Sequence, residues 1–261
     1  MSDLHYGDVS VRVEEHVALV EIHRPPHNHF DAQLIQDLAD AFESLDRNPE
    51  CRALVLASEG KSFCAGANFN QGAAAASDEV ASSTSRLYQH AVRLFSSEKP
   101  VVAAIQGAAI GGGLGLALVA DFRVVSPDAR FAANFVKLGI HPGFGLTHTL
   151  PRVIGVQRAA LMFYTGRRIA GEEAVAWGLA DVLASPDRLR DEAIKLATEI
   201  AECAPLAIQS TRATMRRGLA DAVRAQTDHE HSEQSRLFQT EDHQEGVRAV
   251  KERRPGRFKG R

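Results

Sequence analysis

The sequence lacks long hydrophobic runs and has few cysteines. None of its apolar stretches reaches the roughly 18 residues of a membrane-spanning helix. Residues 1–5 show no basic segment leading into an apolar one, so no signal peptide is expected. Cys51, Cys64 and Cys203 are odd in number and far apart, which argues against a disulfide framework. These absences are typical of a reducing compartment and predict a cytoplasmic protein without a membrane partner.

A strong excess of charge is also lacking. The net charge is −3 from 30 basic and 33 acidic residues, which gives no reason to expect a nucleic-acid partner. One local exception is the last fourteen residues, 248–261, which hold seven Lys or Arg and one Glu. Two interpretations are open for this tail: a solvated basic segment, or a contact with an anionic ligand or a neighbouring subunit.

Hydrophobic residues make up 44% of the chain, enough for one sizeable core. Apolar residues alternate over 9–13 and 18–22 and predict a β-hairpin. Asp31 is a candidate N-cap for a helix that runs to Leu45. A short apolar run at 53–57 predicts a buried strand. Residues 70–85 have few large apolar side chains and predict an open segment.

Strands and helices alternate in the middle of the chain, and the pattern from residue 147 onward is helical. This order predicts an α/β fold with a trailing helical part. The predicted elements of the middle section are a strand at 101–105, a helix at 112–120, a strand at 122–126 and a short strand at 130–132.

Two turns rich in small residues each follow a predicted strand. The first is KSFCAGANFN at 61–70, and the second is the glycine cluster Gly107–Gly115. The second cluster has neither the Gly-Lys-Ser/Thr ending of a P-loop nor the dinucleotide-binding spacing. Tight packing of a helix on a strand would explain one such cluster. Two of them also allow two backbone N–H groups to converge on one oxygen, as in an oxyanion hole.

Five stretches together resemble the crotonase, or enoyl-CoA hydratase/isomerase, superfamily. The resemblance covers nearly the whole chain and implies a spiral of stacked ββα units over 1–200, followed by a C-terminal helical trimerisation domain over 201–261. It also implies an acyl-CoA thioester substrate, with coenzyme A entering only as part of that substrate, and a homotrimer or hexamer. The stretches are RPPHNHFD, FCAGANF, KPVVAAIQGAAIGGGLGLALVADFRV, FAANFVKLGIHPGFG with LPRVIG, and LMFYTGRRIAGEEAVAWGLADVL.

The resemblance also assigns a site. The thioester oxygen would accept hydrogen bonds from the N–H groups of Ala67 and Gly112, so that an enolate is stabilised there. The other residues that it implies in substrate and CoA binding are Asn28, Ala65, Gly66, Asn68, Phe135, Phe258 and Lys259. Of these, the two tail residues would reach the CoA of a neighbouring subunit, where basic groups offset phosphate charge.

The acid/base residues of the family are missing. Hydratases of this family use two glutamates, and the matching positions hold Gly115 and Phe135. Some isomerases carry an Asp in the loop after LGI, and the matching position holds Gly143. None of these three residues can transfer a proton, so ordinary hydration of crotonyl-CoA is not expected. Gly115 is expected to leave space for a bulky or aromatic acyl group.

Histidines and one cysteine are the remaining candidates. His141, in LGIHPGFG, is a candidate base, with a surface or supporting histidine as the alternative. His27 and His29 flank Asn28 and are expected near the nucleotide end of the ligand, without a metal, since no third ligand is close in sequence. Cys64 is expected to be a buried apolar residue, and a nucleophilic role would need a base.

Three functions are compatible with this pattern. The first is an acyl-CoA lyase or isomerase of this family. The second keeps the enolate but uses it for isomerisation, hydrolysis, decarboxylation or C–C cleavage with another base. The third is a non-catalytic acyl-CoA-binding protein. RNA binding through the basic tail has no support beyond that single run.

Overall fold

The computed structural model describes residues 4–67 and 78–261. Within these residues the chain forms ten strands and ten α-helices, and it is an α/β protein as expected. The strands are β1 (Leu4–Tyr6), β2 (Val9–Glu14), β3 (Val17–Ile22), β4 (Ala53–Ser58), β5 (Val101–Ile105), β6 (Ala108–Ile110), β7 (Phe122–Val125), β8 (Arg130–Ala132), β9 (Arg168–Ala170) and β10 (Val182–Leu183).

The helices contribute both layers around the sheet and the C-terminal part. A 3-10 helix, Asn134–Leu138, lies between β8 and α4. The α-helices are α1 (Ala32–Arg47), α2 (Asp78–Phe95), α3 (Gly112–Ala117), α4 (Leu146–Ile154), α5 (Val156–Thr165), α6 (Gly171–Trp177), α7 (Leu189–Ala201), α8 (Pro205–Met215), α9 (Leu219–Leu237) and α10 (Glu241–Lys251).

Two sheets organise the core. The larger has the strand order β1-β2-β3-β4-β5-β7-β10, antiparallel through β3 and parallel from β3 onward. Every residue of β4 is buried, because α7 covers one face of the sheet while the main apolar cluster fills the other. A strand that is covered on both faces consists of consecutive apolar residues, as residues 53–57 do. The smaller sheet has the order β6-β8-β9.

Several predicted elements are confirmed with small changes. The hairpin is β2 and β3, and the Asp31 side chain caps α1 by accepting a hydrogen bond from the Leu34 N–H (2.8 Å). The helix predicted at 112–120 ends earlier, at Ala117. The open segment predicted over 70–85 is wrong from Asp78 onward, where α2 begins. The short strands β9 and β10 interrupt the region that the pattern predicts as helical.

The C-terminal helices are joined to the core through buried polar contacts. Asp121 accepts hydrogen bonds from Arg212 Nε and Arg216 Nη1, both at 2.8 Å. Helix α7 ends at Ala201 and α8 begins at Pro205, and the division into 1–200 and 201–261 stays a prediction. No helix in the described part of the chain is long and apolar enough to cross a membrane.

Candidate active site

A cavity of about 660 Å³ lies where the two glycine-rich turns meet α2, the 3-10 helix and the C-terminal helices. Five of the predicted site residues line it: Ala65, Gly66, Ala67, Gly112 and Phe135. Residues from three separate stretches of the sequence thus border one cavity. Asn68 and Phe69, which the sequence also places near this pocket, lie outside the described residues.

Backbone hydrogen bonds hold the two turns side by side. The Cys64 N–H donates to the Ala108 carbonyl (2.8 Å), and the Ile110 N–H donates to the Cys64 carbonyl (3.0 Å). Gly66 has a φ of +82°, and a Cβ there would lie 2.7 Å from the Ile110 carbonyl oxygen and 3.8 Å from Gly112 N. Only glycine fits such a position. The small residues of the first turn thus allow the second to approach within van der Waals distance.

Gly112 is the first residue of α3, and it is buried. The first N–H groups of a helix have no acceptor inside the helix, and no carbonyl of the described residues outside it accepts from Gly112. The ring of Phe30 packs directly on this glycine, where a Cβ would overlap it. An N–H without a partner in this cavity can donate to a ligand oxygen, aided by the positive end of the short helix.

Phe144 fills the space at Gly115. A Cβ on Gly115 would lie 2.7 to 2.8 Å from three atoms of Phe144. Phe144 is 1% exposed and adopts a φ of +64°, a backbone conformation that few non-glycine residues take. The expectation that Gly115 leaves open space is therefore wrong. The space beside Gly115 holds an aromatic ring, and the ring of Phe30 packs against it with centroids 5.7 Å apart.

Two polar side chains from distant helices occupy the place of a side chain at Gly143. A Cβ on Gly143 would overlap the Tyr88 hydroxyl and lie 2.7 Å from Gln234 Nε2. The hydroxyl donates to Gln234 Oε1 (2.8 Å), and Gln234 Nε2 donates to the His141 carbonyl (2.9 Å). Burial, and secondarily the nearby charge of Glu230, raises the pKa of Tyr88 and keeps the phenol neutral. Tyr88 and Gln234 both line the cavity.

Glu230 holds the loop that carries Phe144. Its carboxylate accepts from the Gly145 N–H (2.7 Å), the Thr147 N–H (3.0 Å) and the Thr147 hydroxyl (2.5 Å). It therefore caps α4 from α9. Burial raises its pKa to about 7, although these hydrogen bonds act in the opposite direction. Glu230 lies behind the cavity and is not one of its lining residues.

His141 does not point into the cavity. Its Nδ1 lies 2.8 Å from the Pro142 carbonyl, and its ring packs against His229 with centroids 5.9 Å apart. His141 is not among the residues that line the cavity, which favours the alternative of a supporting residue, and its role as a base stays a prediction. Its carbonyl, rather than its imidazole, is the group connected to the cavity, through Gln234.

Asn28 and Cys64 are internal. The Asn28 amide donates to the carbonyls of Glu59 (2.8 Å) and Ser62 (2.7 Å) and accepts from the Arg24 N–H (3.0 Å). Asn28 has no exposed surface, so the predicted contact with CoA is replaced by a role in holding the first turn. Cys64 is buried, and burial raises the pKa of its thiol to about 12, as expected for an unreactive apolar residue.

His29 is the imidazole that lines the cavity among the described residues. Its Nδ1 lies 3.0 Å from the Gly66 carbonyl. A carbonyl only accepts, so Nδ1 carries the proton and Nε2 is left as the second ring nitrogen. The sequence places His29 at the nucleotide end of a ligand, whereas the structure places it beside the first glycine-rich turn. Residues 4–67 and 78–261 contain no cluster of three potential metal ligands.

The basic tail folds back on α10. The N–H groups of Lys259 and Gly260 donate to the Asp242 carboxylate (2.6 and 2.7 Å), and Arg254 pairs with Glu245. Phe258 and Lys259 are exposed and do not line the cavity of their own chain. Lys251 and Arg253, which belong to the basic tail at 248–261, do line it and supply positive charge to the cavity.

The two glycine-rich turns of the α/β core thus border one cavity, with the first residue of α3 in its wall. The family model described as enoyl-CoA hydratase/isomerase matches residues 12–261. The chain therefore belongs to the enoyl-CoA hydratase/isomerase family, as the five sequence stretches suggested.

Similar proteins agree with this assignment. The chain is 34% identical over 254 residues to an (E)-benzylidenesuccinyl-CoA hydratase of Thauera aromatica, covering 97% of this chain and 99% of that protein. It is 33% identical over 258 residues to a crotonyl-CoA hydratase of Syntrophomonas wolfei, covering 97% and 98%. The crystal structure of an enoyl-CoA hydratase/isomerase from Pseudoalteromonas atlantica T6c superposes with a TM-score of 0.85 at 27% identity, covering 97% and 100%.

Proposed function

We propose that this protein binds acyl-CoA thioesters and stabilises a thioester enolate with the N–H groups of Ala67 and Gly112. The observation that carries the proposal is the approach of the two turns: Gly66, next to Ala67, lies against Gly112 N at the wall of one cavity. When a base takes a proton from the carbon next to the carbonyl, with solvent water as the final acceptor, the electron pair of the broken C–H bond moves charge to the thioester oxygen. Two N–H donors aimed at that oxygen stabilise this charge.

The reaction is not the glutamate-dependent hydration of crotonyl-CoA. Gly115 and Phe135 cannot donate or accept a proton, and Phe144 closes the space beside Gly115. Phe30, Phe135 and Phe144 together give the cavity an aromatic wall. Such a wall favours a bulky or aromatic acyl group over a short straight chain, because more apolar surface is removed from water.

Lys251 and Arg253 line the same cavity and suit the phosphate groups of CoA. By family resemblance, Phe258 and Lys259 would contact the CoA bound to a neighbouring subunit of a homotrimer or hexamer. Size-exclusion chromatography with light scattering measures the oligomer directly. A monomer in the presence of acyl-CoA would remove the basis for assigning these two residues.

Hydrogen exchange at the substrate carbon tests the enolate without knowledge of the final product. Phenylacetyl-CoA and butyryl-CoA are incubated with the protein in D₂O, and deuterium at the carbon next to the carbonyl is followed by mass spectrometry. We expect exchange above the protein-free rate, with the aryl ester favoured. Tight binding without any exchange would instead support a non-catalytic acyl-CoA-binding protein.

Two glycine variants with similar backbone conformations test the contribution of the N–H groups of Ala67 and Gly112. Gly66→Ala forces a Cβ against the second turn, at 2.7 Å from the Ile110 carbonyl, whereas Gly178→Ala has a similar positive φ (+76°) and nothing within 4 Å. Misplacing a donor of this kind costs about 100- to 1000-fold in rate. We expect that loss in Gly66→Ala and not in Gly178→Ala. Equal exchange by both variants would contradict the oxyanion hole.

A further inference from the structure

Gly143 lacks a side chain, yet the space that its side chain would take is not empty. The hydroxyl of Tyr88 comes to it from α2, and the amide of Gln234 comes to it from α9. Tyr88 and Gln234 are 146 residues apart in sequence, and their side chains form one hydrogen-bonded pair. The pair borders a cavity whose nearby wall is aromatic, with Phe135 and Phe144 beside it.

The orientation of the Gln234 amide follows from its partners. The His141 carbonyl can only accept, so the atom that faces it is Nε2, and the atom that faces the Tyr88 hydroxyl is Oε1. One of the two Nε2 hydrogens is thereby used. The hydrogen bond to His141 leaves the other hydrogen for a further acceptor, and Gln234 is 4% exposed and lines the cavity.

A buried amide hydrogen without an acceptor is costly, because water has been removed and nothing replaces it. In a cavity open to a ligand, that hydrogen is a recognition group. Nε2 lies 2.7 Å from the position that a Cβ on Gly143 would take, next to the Tyr88 hydroxyl. An acyl group in the cavity therefore meets an amide held in place by Tyr88 and His141, beside the aromatic rings of Phe135 and Phe144.

We propose that Gln234 is a specificity-determining residue that donates a hydrogen bond to an oxygen on the acyl group, and that Tyr88 is the positioning residue that fixes its amide. The substrate class that fits is a CoA thioester with a bulky, largely apolar acyl group that carries a hydroxyl or carbonyl oxygen away from the thioester. This inference rests on the proposed binding of acyl-CoA thioesters and adds the chemistry of the acyl group.

Binding of matched thioesters tests it by isothermal titration calorimetry. Benzoyl-CoA is compared with 3-hydroxybenzoyl-CoA and 4-hydroxybenzoyl-CoA, which differ only by one oxygen. The wild-type protein is expected to bind at least one hydroxylated ester about 3- to 10-fold more tightly, the range of one net hydrogen bond. Gln234→Met, which keeps the length of the side chain, is expected to abolish this preference, measured within the variant as the ratio of its affinities for the hydroxylated esters and for benzoyl-CoA.

Tyr88→Phe removes only the hydroxyl and frees the Gln234 amide to rotate. We expect a weaker preference in this variant, again measured relative to its own affinity for benzoyl-CoA, and unchanged binding in the matched exposed controls Tyr164→Phe and Gln244→Met. Because benzoyl-CoA binding reports that the cavity is intact, a variant that fails to fold is recognised. Asn134, the other amide that lines the cavity, is compared as Asn134→Leu.

The outcomes separate the two proposals. A preference for an oxygen-bearing ester that Gln234→Met removes supports the inference. Equal affinities for all three esters in wild-type protein, a preference that survives in Gln234→Met, or one that disappears only in Asn134→Leu overturns it and leaves acyl-CoA binding intact. No binding of any of the three thioesters overturns both this inference and the function on which it rests.

Discussion

Replacing Gly115 by alanine tests whether the Phe144 ring fills the space beside this residue. In an unobstructed helix, replacing glycine by alanine stabilises the protein by about 0.5–1 kcal/mol, since alanine loses less backbone freedom on folding. At Gly115 the added methyl group would lie 2.7 to 2.8 Å from three atoms of Phe144. Ordinary contacts between carbon atoms are about 3.5–4.0 Å, so one of the two residues must move.

Phe144 has little room to move, because it is 1% exposed and packs on Phe30. Overfilling a packed core costs about 1–3 kcal/mol, which exceeds the gain from helix propensity. We therefore expect Gly115→Ala to lower the free energy of unfolding by about 1–2 kcal/mol. For a chain of this size, each kcal/mol lowers the melting temperature by about 2–4 °C.

Thermal and urea denaturation followed by circular dichroism measure this loss, with Phe144→Leu as the partner variant. Since the cost comes from one pair of side chains, the double variant should be less destabilised than the sum of the two single variants. A Gly115→Ala protein that melts at or above the wild-type temperature would show that Phe144 does not fill this space.

Three further outcomes follow from the buried charges and from His141. Burial raises the pKa of Glu230 from 4.5 to about 7, so between these pH values the native state holds a proton that the unfolded state has lost. The free energy of unfolding should therefore fall as pH rises from 4.5 to about 7. In urea titrations, Glu230→Gln should make the free energy of unfolding less dependent on pH. Asp121→Asn should destabilise the protein by about 3–5 kcal/mol, since Arg212 and Arg216 lose a buried counter-charge; a change under about 1 kcal/mol would contradict this. His141→Ala should leave deuterium exchange into phenylacetyl-CoA unchanged, and a loss would return His141 to the list of candidate bases.

The backbone of the site could be predicted from the sequence because its signals are local. The apolar run before Ser58 and the glycines around Gly112 each stand within a few residues of the feature that they produce. Strands, turns and helix starts depend on such neighbours. The lining of the cavity by Ala65, Gly66 and Gly112 follows from them.

The side chains that complete the site could not be predicted in this way. Tyr88 and Gln234 come from two different helices, and nothing near either of them in sequence indicates the other. The sequence shows that Gly115 and Gly143 have no side chain, but which residues fill the space depends on tertiary packing. His141 has the residue type of a base, and only the three-dimensional structure shows where its ring points.

Glu230 and Gln234 stand one helical turn apart on α9, and each holds a different part of the loop that carries Phe144. Each residue of a helix turns the next by about 100°. An inserted or deleted residue in the first half of α9 would swing both side chains away together. The number of residues in the first half of α9 thus determines where both side chains lie beside the cavity. A chimera that takes its C-terminal segment from a relative would have to keep this number of residues.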